Sequence, residues 1–212
     1  MKERYHKMAH DWAHKLVDTQ PGVLLHEDVA LIQELVGKLP QARSVKVVAL
    51  GPGNGAVTLS VLCARPEKVS ITTIAPDAET LRWAGALATN IGRHGDCLFE
   101  LSEPADAAGL FKAGTVDLLL IDGGLSYSAV KHELTAWLPK VAKDGYVWLH
   151  NYGDPYKFGW SAAPSPGIKR AIEEAIVTED LELVEVKGLG WAGRKPTPRR
   201  SQYAPKKGEK RT

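Results

Sequence analysis

The stretch Val45-Lys46-Val47-Val48-Ala49-Leu50-Gly51-Pro52-Gly53-Asn54-Gly55 constrains the fold more than any other part of this chain. Its first half is a short, valine-rich apolar run, the mark of a buried strand. Its second half sets glycines at alternate positions, and the apolar residues Leu59, Val61 and Leu62 then open a helix. Strand, glycine turn and helix form a nucleotide-binding loop when a ligand must approach the backbone closely. The helix start beyond the turn offers N–H groups to an anion. By itself the turn also fits tight strand–helix packing.

The rest of the chain supplies the partners such a strand needs. Met8, Trp12 and Leu16 predict a short amphipathic helix over 5–18, broken by Pro21-Gly22. Val29, Ile32, Leu35, Val36 and Leu39 predict a second, closed by Pro40. Further strands are expected at 69–74, 97–101, 116–121 and 146–149. Helices are expected up to Ala64, over 78–91, from Val130 to Val141 and over 167–177. The 116–121 strand is apolar on both faces after Asp117, as a parallel strand covered on both sides requires. Residues 181–186 and 189–192 are separated only by Lys187-Gly188 and predict a hairpin. The expected architecture is a single doubly wound α/β unit, a mostly parallel seven-stranded sheet ending in an antiparallel hairpin. A helical cap is expected over 1–40, the main domain over 41–194 and a basic, disordered tail over 195–212.

In such a sheet, ligands bind beyond the carboxyl ends of the strands. The residues collected there are Gly51, Pro52, Gly53, Asn54 and Gly55, then Ala75-Pro76-Asp77, Ser102-Glu103, Asp122-Gly123-Gly124 and His150-Asn151. Any one of them could be only a loop residue or a helix cap. His150 is the base best placed for a proton transfer near neutral pH, and Asp122 is placed to orient it. His132 falls inside a helix and reads as a surface residue. Tyr152, Tyr156, Phe158 and Trp160 make the 153–166 loop a candidate lid or substrate wall.

The stretches VVALGPGNGAVTLS, TVDLLLIDGGLSYSAVKHELTAWLPKVAKDGYVWLHNY and SPGIKRAIEEA give the chain a family likeness over roughly residues 25–194. It resembles the class I S-adenosylmethionine-dependent methyltransferases, and more narrowly the small-molecule O-methyltransferase-like families. The resemblance implies a Rossmann-like methyltransferase fold and S-adenosylmethionine as cofactor. It implies that Gly51, Gly53 and Gly55 hold the methionine end, with Pro52 and Asn54 shaping the turn. Pro76 and Asp77 would flank the ribose and adenine, and Ser102 the adenine. Asp122 would face the transfer centre, completed by His150 and Asn151. Where the family carries an acid at the end of the second strand, this chain has Ala75. The family's I-D-G-D-H is here Ile121-Asp122-Gly123-Gly124-Leu125. A divalent metal would find Asp122 and Asn151 as candidate ligands, with Asp154 as a third, fewer oxygens than a hard cation prefers.

Charge is distributed unevenly. Residues 193–212 hold eight Lys/Arg and one acid, while the whole chain carries a net +2, so the remainder is acidic. The chief expectation is methylation of a hydroxyl on a small molecule. The alternatives are a nucleic-acid methyltransferase tethered by the basic tail and a non-catalytic binding or assembly protein whose tail docks on an acidic partner. Cys63 and Cys97 lie far apart and suggest a reducing, cytoplasmic setting. Neither a signal peptide nor a membrane span is expected.

Overall fold

The computed structural model describes residues 13–18, 24–65, 67–124, 126–153, 165–178 and 180–197. A helical segment at 13–18 precedes α1 (His26–Lys38). There follow β1 (Val45–Leu50), α2 (Ala56–Ala64), β2 (Val69–Ala75), α3 (Ala78–Asn90) and β3 (Cys97–Leu101). The second half runs β4 (Val116–Ile121), α4 (Tyr127–Trp137), β5 (Val141–Leu149), α5 (Pro166–Val177), β6 (Glu182–Lys187) and β7 (Gly190–Arg194). Among the described residues these strands form one seven-stranded sheet in the order β3-β2-β1-β4-β5-β7-β6. Strands β1 to β5 pair in parallel, and β7 runs antiparallel to both β5 and β6. The strand order reverses between β1 and β4, which is where an open α/β sheet opens its ligand crevice.

Strand alternation divides the core into two layers. Val47 and Ala49 of β1 and Leu118 and Leu120 of β4 face one side, against Val29, Ile32 and Leu35 of α1 and Leu59 and Leu62 of α2. Val48 and Leu50, with Leu119 and Ile121, face the other side, against Val130, Leu134 and Trp137 of α4 and Ile168 and Ile172 of α5. A sheet buried on both faces needs continuous apolar strands, which explains the sequence of β1 and β4. Helix α2 is buried from Ala56 to Cys63. It is buried all round because the sheet, α1 and α3 enclose it, and its two polar residues, Thr58 and Ser60, hydrogen-bond Thr73 and the Ala56 carbonyl. Asp117 is the polar exception in β4. It is buried at 4 % exposure and accepts two hydrogen bonds from Arg43, at 2.9 and 2.6 Å, and one from the Lys46 backbone N–H at 2.9 Å.

Two expectations change. The helix after β4 ends at Trp137, and β5 begins at Val141 rather than Tyr146. Asp144-Gly145, which reads as a helix stop, is an irregularity inside a strand. Val116 pairs with Val141 and Leu118 with Tyr146, so β5 loops out extra residues there, with Asp144 in the left-handed region at φ 59°. The second change concerns the tail. Lys195 donates its backbone N–H to Gly145 and its Nζ to the carbonyls of Leu138 and Val141. Thr197 donates to Asp144. Residues 195–197 are therefore fastened to this irregularity, and 198–212 lie outside the described residues, as do Met8 and Trp12. The hairpin forms, with its turn at Gly188-Leu189 rather than at the expected Lys187-Gly188.

Candidate active site

Four inter-strand hydrogen bonds bring the expected residues to one rim. The N–H of Gly51 donates to Ile74, that of Asp122 to Leu50, that of His150 to Ile121 and that of Ser102 to Ala75. Each bond continues the ladder one step past a strand end, so five carboxyl ends finish level. The glycine loop turns inside this rim. Gly51, Gly53 and Gly55 all have positive φ. At Gly51 a Cβ would sit 2.7 Å from the Cα of Gly123, and at Gly55 one would sit 2.9 Å from the Cα of Ala84. The β1 turn and the β4 turn thus meet backbone to backbone, which only glycine permits. Asn54 accepts from the Ala56 N–H at 3.2 Å and shapes the entry into α2.

His150 lies beneath the rim at 4 % side-chain exposure. Its Nδ1 is 2.7 Å from Oδ1 of Asp122, itself 7 % exposed. Its Nε2 is 3.6 Å from Oδ2 of Asp28, beyond hydrogen-bond distance, and has no other hydrogen-bond partner. The ring stacks on Trp148 with centroids 5.6 Å apart. Burial alone would strip the imidazole of its proton, but the carboxylates of Asp122 and Asp28 outweigh it and raise His150 to about 10. Burial also raises Asp122, opposed by His150 and reinforced by Asp28. The ring lies between the side chains of Asp122 and Asp28, which favour its protonated form over the neutral imidazole expected from sequence. Neither nitrogen opens to solvent.

The other expected residues are placed less uniformly. Asp77 accepts the Thr80 N–H at 2.8 Å and caps α3. This bond leads the causes that hold its carboxyl below the usual range. Pro76 is exposed beside it, and Ala75 is fully buried at the end of β2. Ser102 donates to the Glu103 carbonyl. Asn151 adopts φ 60°, and its amide nitrogen lies 3.2 Å from Nδ1 of His150. Among the described residues no group of three or more His, Cys, Asp or Glu is arranged to hold a metal ion. Asp154 and the aromatics at 156, 158 and 160 lie outside the described residues.

Two buried acids escaped the sequence reading. Asp28 of α1 is fully buried. It accepts the Leu25 N–H at 2.9 Å, closing the helix start, and the Leu189 N–H at 2.9 Å from the β6–β7 turn. Glu133 of α4 is 7 % exposed and faces the β4 turn. Both were detectable in principle. Asp28 shares a helical face with Ile32 and Leu35, and Glu133 falls inside the stripe Val130, Leu134, Trp137. A lone acid on an apolar stripe is a buried acid.

Comparison with known proteins agrees with this geometry. Residues 48–152 match the model of a family described as a methyltransferase domain. The chain is similar to the class I methyltransferases over that stretch and has their fold. A Corynebacterium glutamicum protein superposes with a TM-score of 0.71 at 20 % identity, covering 91 % of each chain. The O-methyltransferase TomG from Streptomyces achromogenes, involved in tomaymycin synthesis and solved in complex with SAM, gives 0.65 at 13 % identity over 91 % of this chain and 90 % of that one. A methyltransferase from Geobacter sulfurreducens gives 0.63 at 16 % identity over 89 % and 88 %. No curated protein matches the sequence significantly. Among the described residues no helix is long and apolar enough to cross a membrane.

Proposed function

We propose that this chain is an S-adenosylmethionine-dependent methyltransferase acting on a hydroxyl group of a small molecule, with 41–194 as the cofactor-binding unit. The observation that carries the reading is the backbone contact between Gly51 and Gly123 at the point where strand order reverses. It keeps the crevice of the sheet free of side chains at this point, where a Cβ at Gly51 would strike the Gly123 backbone. Gly51, Gly53 and Gly55, shaped by Pro52 and Asn54, would hold the methionine end. Pro76, Asp77 and Ser102 would border the nucleoside. When bound, the cofactor supplies an electrophilic methyl group.

The chain's own residues have separable tasks in this reading. The turns fix the ligand's position, so that little ordering is left for the moment of reaction. His150 and Asp122 lock the ends of β4 and β5 together beneath it. Because His150 is buried, with Nδ1 held by Asp122 and Nε2 closed to solvent, its task is positioning rather than proton removal. Asn151 stands at the rim beside this pair. Calorimetry with S-adenosylmethionine and S-adenosylhomocysteine tests the reading, and the absence of binding to either at millimolar concentration refutes it.

A second reading, a binding protein that keeps the fold without turnover, draws on one observation. The end of β2 offers Ala75, and the carboxylate of Asp77 is committed to capping α3. Cofactor binding without methyl transfer to any hydroxyl acceptor in a panel would favour it. Described residues lend nothing to the nucleic-acid alternative.

A further inference from the structure

Glu133 is a buried acid for which the described residues offer Oε2 no partner. Its Oε2 makes no hydrogen bond. Burial pushes its carboxyl up to about 7, and no charged side chain offsets that. An unsatisfied buried carboxyl of this kind costs stability, so its presence calls for an explanation. Its position suggests one. A Cβ on Gly124 would lie 3.5 Å from Oε2, and a Cβ on Gly123 would lie 3.8 Å from Oε1 and 3.5 Å from the Cα of Gly51. The carboxyl therefore stands against the β4 turn that walls the glycine loop. The loop from Gly51 to Ala56 contains no acid. Asp122 is taken by His150, and Asp77 by α3.

We propose that Glu133 receives the cationic group of the ligand seated on the glycine loop beside the β4 turn, which on the reading above is the α-ammonium of the methionine portion of the cofactor. The inference rests on that reading. The ammonium provides the donor that the fold withholds, and the carboxyl, giving up its proton, provides the charge that the loop lacks.

The test is titration calorimetry on the full chain at about pH 7, in two buffers of different ionisation enthalpy. The ligands are S-adenosylhomocysteine and its analogue lacking only the α-amino group. Wild type should prefer S-adenosylhomocysteine by at least about tenfold, or about 1.4 kcal/mol, and should release a fraction of a proton on binding it. In Glu133→Gln the preference should fall below about threefold, the analogue's affinity should hold, and proton release should disappear. Equal weakening of both ligands in the variant would make Glu133 a packing residue and overturn the proposal. Equal affinity of wild type for the two ligands would overturn it too, without need of a folded variant, while leaving the cofactor reading intact. Failure of wild type to bind either ligand would refute the cofactor reading itself.

Discussion

Replacing Gly51 by alanine tests whether the contact between the β1 and β4 turns is what makes the site. Two costs are separable. The residue sits at φ +58°, where a Cβ costs about 1–2 kcal/mol whatever its surroundings. The new methyl would also lie 2.7 Å from the Cα of Gly123 and 3.1 Å from its nitrogen. Both are backbone atoms tied to the sheet and unable to rotate away. Forcing the two strand ends apart adds about 1–3 kcal/mol. Gly92 provides the control, since it has φ +69° and nothing within 4 Å of a built Cβ. Gly92→Ala should therefore lose about 1–2 kcal/mol, and Gly51→Ala about 2–5 kcal/mol. Urea denaturation followed by tryptophan fluorescence is suitable, because Trp137, Trp148 and Trp191 are fully buried. Binding of S-adenosylhomocysteine should survive Gly92→Ala and fall at least about tenfold in Gly51→Ala. Equal destabilisation of the two variants would refute the steric argument. Full affinity in a folded Gly51→Ala would show that the ligand lies elsewhere.

Glu133→Gln should stabilise the protein at alkaline pH. A carboxyl raised from 4.5 to about 7 in the folded state costs stability as pH rises through that window, in total about 3 kcal/mol above it. The difference between wild type and variant should grow between those limits and then level off, and a pH-independent difference in denaturation midpoints would contradict this. Arg43→Ala strands the buried Asp117 carboxylate, but the guanidinium is about half exposed, so the loss should be modest, about 1–2 kcal/mol. Burial opposes the depressed pKa of Asp117 and the bonds to Arg43 and Lys46 prevail. Their contribution is present above the ordinary carboxyl pKa and lost as pH falls through the folded value, so the gap between wild type and variant should close in acid unfolding curves. Asp28→Asn leaves one of the two N–H groups on Asp28 without its acceptor. It should cost about 1–3 kcal/mol and lower the His150 midpoint from about 10, as read by NMR titration of the ring. An unmoved midpoint would remove Asp28 from the pair. Ala75→Asp should tighten cofactor binding if the β2 end approaches the ribose, and unchanged affinity would place the ribose elsewhere.

The sheet and its glycine loop were legible because both are written locally. Continuous apolar runs marked β1 and β4, and the spacing of Gly51, Gly53 and Gly55 marked the turn between β1 and α2. The rim followed from topology, since parallel strands end on one side. Side-chain pairings across the fold were not legible. Whether Asp77 faces a ligand or its own helix depends on one rotamer at the start of α3. Asp144-Gly145 carries the same signal for a helix stop and for a looped-out segment of a strand. Asp122 beside His150 followed from the rim, but the sequence could not show that Asp28, from a helix before β1, converges on the same ring.

The hydrogen bond from Leu189 to Asp28 spans 161 residues. Helix α1 therefore leaves a ribosome well before β7 does. Until the β6–β7 hairpin folds back, one oxygen of Asp28 has no backbone donor, and His150 faces an acid held only by its own helix start. The nascent chain can assemble the glycine loop early, yet it seals the floor beneath that loop only once β7 has emerged. A ligand that recognises the finished rim would therefore ignore chains in which β7 has yet to be made.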